Sequence, residues 1–165
     1  MWTQLWFVLL AGAIPLLGVL LLNALADAPA DAQIVTAGLA LLWAVEVTLL
    51  VSQKPPQNQN FLAMLDLIGG LGVLWCWLEQ RARWKAALVW LFGFAIVLEM
   101  IKWGLFELAP DLNDAAHRNV FTAIRRGVFY AQLVCAGWVG GGLVAVHLGH
   151  LLSGHTPGRR QVGAL

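Results

Sequence analysis

The stretch AALVWLFGFAIVLEMIKWGLFE, residues 86–107, decides how this chain is read. A helix rises 1.5 Å per residue, so about twenty apolar residues cross a hydrocarbon core of about 30 Å. This stretch is that long and contains no proline, yet it holds Glu99 and Lys102. A charge at mid-bilayer costs roughly 2.5–3.5 kcal/mol on insertion scales, so such residues rarely persist without a partner or a role.

Working outward, the same unit recurs. Residues 5–25, 34–52, 61–78 and 128–152 are apolar runs of similar length. They are separated by polar punctuation: ADAPADAQ at 26–33, QKPPQNQN at 53–60 and EQRARWK at 79–85. Over its 165 residues the chain is 60% hydrophobic and 12% charged, with a mean hydropathy of +0.75. A soluble domain is roughly half apolar and about a quarter charged. The expected fold is therefore all-α: a polytopic transmembrane bundle of five spans, in one integral membrane domain over residues 1–165. Residues 153–165 form a polar tail. Four spans with one segment lying flat at the interface is the alternative. The Ala, Leu, Gly, Arg and Trp content suits a GC-rich genome, and a bacterial inner membrane is the expected location.

Local signals refine this picture. Ala24-Leu25-Ala26 resembles a signal-peptidase site, but the opening MWTQLWF has no Lys or Arg and the apolar run is too long for a secretory h-region. It is read as a first transmembrane helix, kinked at Pro15. Asn113 or Asp114 offers an N-cap. Residues 113–127 (NDAAHRNVFTAIRRG) read as an interfacial turn or two of helix leading into the fifth span. Trp2, Trp6, Trp75, Trp77, Trp84, Trp90 and Trp103 sit near span ends, as an aromatic belt requires, whereas Trp43 and Trp138 lie deep. Those two are packing residues, or rings that stack on a pigment or quinone. Lys54, Arg118, Arg125 and Arg126 fall on one side, and Arg81, Arg83, Lys85, Arg159 and Arg160 on the other. Four against five sets no orientation.

The intramembrane charges share a layer. Glu46 and Asp66 lie near the end of the second and the start of the third span, and Glu99 and Lys102 lie near the end of the fourth. Because successive helices alternate direction, all four sit roughly 8–12 Å beneath the same surface. Glu99 and Lys102 can pair at i,i+3. Glu46 and Asp66 then need a counter-charge, and Arg125 or Arg126 enters from that side.

The fifth span carries small residues every fourth position, Gly137, Gly141, Ala145 and Gly149, which allow close helix packing. On the same span His147 and His150 are candidate pigment ligands. One axial His beside small neighbours would suit a (bacterio)chlorophyll. A bis-His haem would need a second helix with a His, and the chain offers none. Cys76 and Cys135, on different helices, make neither a disulfide nor a metal motif. No metal site and no hydrolase motif are present, and the net charge of +1 gives no handle on nucleic acid.

These features point first to a non-catalytic integral subunit or assembly component of a larger membrane complex. Its partners would be the lipid bilayer and other membrane subunits, or a second copy held through the fifth helix. A proton or cation conduit using Glu46, Asp66 and Glu99 is the alternative, and a pigment- or haem-associated subunit is a third.

Overall fold

The computed structural model describes residues 2–52, 58–108 and 115–153. The Asn113–Asp114 cap, the polar tail with His155, Arg159 and Arg160, and the turn carrying Lys54 lie outside the described residues. So do the side chains of Trp2, Trp6 and Arg118. The described residues are entirely helical apart from short connections, in the order α1 (Trp2–Leu25), α2 (Ala30–Ser52), α3 (Asn58–Glu79), α4 (Arg83–Leu108) and α5 (Ala115–Ser153). Among them α2, α4 and α5 contain segments long and apolar enough to cross a membrane. Consecutive helices pack pairwise from α1 to α4, and α5 lies against α1, α2 and α4.

The helices α1 to α4 begin three or four residues earlier than the apolar runs imply, because helix continues into the polar flanks. The largest departure is at α5. Residues 115–127 do not form a separate helix, since one uninterrupted helix of 39 residues runs through them. No proline falls within it, and Gly127 alone costs only about 1 kcal/mol in a helix interior.

The turn between α1 and α2 is built by backbone chemistry. Ala28 N–H donates to the carbonyl of Asn23 (2.9 Å) and Asp27 N–H to that of Ala24 (3.3 Å). These are the two bonds of a Schellman cap, with Asp27 in the left-handed region at φ 51°. The segment that resembles a cleavage site is thus a helix cap.

Pro15 remains within an unbroken α1. Proline has no N–H, so the carbonyl of Ala11 loses its helical partner. The Tyr130 hydroxyl of α5 donates to that carbonyl at 3.1 Å and closes the gap. Tyr130→Phe should therefore lower stability by about 1 kcal/mol. A thermal-unfolding scan in detergent checks it, and a melting temperature equal to wild type would refute the assignment.

The core is apolar and central: Leu16, Leu39, Val73, Leu88, Phe92 and Leu133 form one buried cluster drawn from all five helices. Glycines set the closest approaches. A Cβ on Gly69 would strike Leu42 and Phe92, so the glycine pair 69–70 receives the Phe92 ring of α4. A Cβ on Gly140 would collide with the Asn23 side chain, so α1 and α5 meet there almost backbone to backbone. Asn23, which is 1% exposed, donates from Nδ2 to Thr36 Oγ1 (2.8 Å) and to the Ala136 carbonyl (3.0 Å), joining α1, α2 and α5 through one amide.

The α1–α5 contacts also fix a register. Val19 lies against Gly137, Leu22 against Gly141 and Asn23 against Gly140. At this offset Leu25, the last residue of α1, is level with about residue 143. Residues 144–153 of α5 then extend about 15 Å past the end of α1.

Candidate functional site

Arg125 of α5 is the centre of the charged layer. Its Nε donates to Glu46 Oε1 of α2 at 3.1 Å. Its Nη1 donates to Asp66 Oδ2 of α3 at 3.0 Å and to Glu99 Oε1 of α4 at 2.9 Å. Lys102 Nζ bonds the other Glu99 oxygen at 3.3 Å. Four helices are thus joined through a single guanidinium. The planar fork of arginine suits this, because its donors diverge at fixed angles, whereas an ammonium is a point charge. Glu99 is the most enclosed of the carboxylates, at 4% exposed.

Beside this layer is a cavity of about 350 Å³. Its charged lining is Glu46, Asp66 and Glu99 against Lys102, Arg125 and Arg126, so the formal charges balance. Arg126 lines it without sharing in the Arg125 ion pairs, because consecutive helical residues point about 100° apart. Its apolar wall is largely aromatic: Trp43, Phe121, Phe129 and Tyr130. Trp43 is pinned against α1, where Gly12 leaves room for the indole that any side chain would displace. Gln132 also lines the cavity. It is 6% exposed, and its Nε2 has no hydrogen-bond partner among the described residues.

No family model, curated protein or solved structure matches the chain. Its chemistry is therefore argued from this geometry alone.

The residues singled out by sequence do not all converge. Glu46, Asp66, Glu99, Lys102 and Arg125 come together. The small-residue stripe divides. Gly137 and Gly141 face α1, whereas Ala145 and Gly149 are exposed, and a Cβ on Gly149 would meet nothing within 4 Å among the described residues. His147 is exposed on the same protruding segment, and His150 is half-buried. Trp138 is 70% exposed, so only Trp43 of the two deep tryptophans is packed inside. Cys76 and Cys135 are free thiols.

A second ionic site lies at the opposite end of the helices. Lys85, 1% exposed, pairs with Asp31 of α2. It also donates to the Cys76 carbonyl at 3.2 Å, near the C-terminal end of α3. The sequence places Lys85 in a basic turn. The structure instead starts α4 at Arg83, which turns Lys85 inward. Its signal was an acidic connection holding Asp27 and Asp31 and a basic one holding Arg81, Arg83 and Lys85, both on one side of the helices.

Proposed function

We propose that this chain is a non-catalytic integral membrane protein, crossing the bilayer five times, that serves as a component of a larger membrane assembly. The supporting observation is the free end of α5. Residues 144–153 overrun α1, and they are apolar, with Val146, Leu148, Leu151 and Leu152 between 46% and 89% exposed. Within this segment Ala145 and Gly149 continue a small-residue face that α1 covers only as far as Gly141. Such a face lets a further helix approach closely. The occupant this fits is a transmembrane helix of another membrane chain.

A photo-crosslinker placed at Ala145 in native membranes should give an adduct with another membrane chain. The same group at Leu21, exposed on α1, should give none. A chain that runs as a free monomer in mild detergent and forms no adduct at Ala145 refutes the reading. Adducts only with a second copy would reassign the face to self-association.

One observation favours a second reading, a one-sided proton or cation site. Three carboxylates share two directly bonded cations, Arg125 and Lys102. Beyond the layer the described core is mostly apolar, with Leu39, Val73, Leu88, Phe92 and Leu133, and its buried polar groups are Gln132, Asn23 and Thr36 and, at the far end, Lys85. Vesicles carrying the chain should then show no ion flux above empty vesicles. Flux that falls in Glu46→Gln would instead favour the conduit.

A further inference from the structure

We propose that the aromatic cavity beside Arg125 binds the head group of a lipid-soluble quinone: a neutral, flat ring bearing carbonyl oxygens. The site is independent of whatever covers α5. Four features of the cavity select this class of guest.

Its volume of about 350 Å³ lies at the lower end of small-molecule pockets, which suits a single substituted ring. Its apolar walls are rings, and Trp43 is held in place against Gly12. Aromatic faces take a flat guest by offset or edge contacts. Its charged lining is formally balanced, and the three carboxylates already accept from Arg125 and Lys102, so the site has no excess charge that calls for an ionic guest. Finally, Gln132 lines the cavity, and its buried amide nitrogen has no partner among the described residues, so a turn of the amide would offer it to a guest. A buried donor left unpaired is costly, and a guest with an acceptor oxygen removes that cost. A carbonyl fits this need, and a purely hydrocarbon lipid does not.

The position of the cavity agrees with a guest that arrives through lipid. Its lining includes Ala11 of α1 and the part-exposed Tyr130 of α5, and Ala11 lies next in the chain to the exposed Leu10. Tyr130 is 40% exposed and already donates to Ala11, so it frames the rim.

The test uses the full chain in lipid nanodiscs and a decyl-substituted benzoquinone as probe, with retained quinone measured against empty nanodiscs. Saturable retention of one quinone per chain is expected. Gln132→Leu should weaken it roughly fivefold to tenfold, the loss expected for one hydrogen bond. Gly12→Val, which drives the Trp43 indole into the cavity, should abolish it. Trp138→Phe, on an outward-facing ring, should leave it unchanged. Helix content and elution position establish that each variant is folded. Decylbenzene, which has the tail and ring without carbonyls, keeps the test decisive even if Gln132→Leu does not fold. Equal retention of decylbenzene and the quinone overturns the proposal. So does stronger retention of tetraphenylphosphonium, which would make the cavity a site for lipophilic cations. Quinone retention no greater than in empty nanodiscs overturns it outright.

Discussion

Arg125→Met is expected to be the most damaging single substitution in this chain. It strands Glu46, Asp66 and Glu99 in the interior and leaves, among the described residues, Lys102 bonded to Glu99. Removing one partner of a buried ion pair costs about 3–5 kcal/mol, because the remaining charge stays desolvated and uncompensated. Whole-domain stabilities are only about 5–15 kcal/mol, so the variant should lose on the order of 10 °C in melting temperature or fail to accumulate. Arg125→Lys should recover only part of this, since an ammonium cannot reproduce the divergent donors of the fork. The quadruple variant Arg125→Met, Glu46→Gln, Asp66→Asn, Glu99→Gln should recover much more, because neutral amides leave no charge to compensate. Unfolding followed by circular dichroism in one detergent would rank the four proteins. An Arg125→Met protein as stable as wild type would show that the guanidinium does not hold the helices together.

The second large effect is asymmetric. At the other end of the helices, Asp31→Ala should cost more than Lys85→Met, although the two remove the same ion pair. Lys85 is 1% exposed, whereas Asp31 is 24% exposed and reaches water. Losing the acid leaves an ammonium buried with the Cys76 carbonyl, Gln80 Oε1 and the Trp84 ring as neighbours, none of them an anion. Losing the base leaves a carboxylate that water can solvate. Asp31→Ala should therefore lie near the 3–5 kcal/mol range of a broken buried pair, and Lys85→Met roughly 1–3 kcal/mol below wild type. The same unfolding measurement decides it. The reverse order would mean that Lys85 matters chiefly through packing of its stem.

Much of the charged layer was legible before any coordinates. Helix rise and alternating direction fix depth, and depth alone brings Glu46, Asp66, Glu99 and Lys102 into one slab. What depth cannot supply is rotation. Arg125 and Arg126 are equal candidates by depth. Only the angular position of α5 sends Arg125 into the layer and leaves Arg126 at the cavity wall. Lys85 was misplaced for a related reason. Starting α4 three residues earlier moves that side chain from a solvated turn to an inward face. The overrun of α5 was invisible to hydropathy, which reads residues up to 152 as one continuous apolar run. It emerges from the register set where Gly140 admits Asn23, a contact between residues far apart in the chain. Gln132 is not legible in the sequence, because a single amide in an apolar span carries no pattern. It matters through what surrounds it.

The joining of four helices through Arg125 also imposes an order in time. Synthesis runs from the N-terminus, so Glu46, Asp66 and Glu99 are all made before the residue that bridges them exists. Asn23 likewise waits for Ala136, 113 residues later, to complete its bonds. Until α5 emerges, the nascent chain holds its acidic groups without their shared cation, and only Glu99 travels with a base of its own, Lys102. The last helix therefore acts as a keystone. The earlier helices can each form on their own, but the charged layer closes only once α5 has been made.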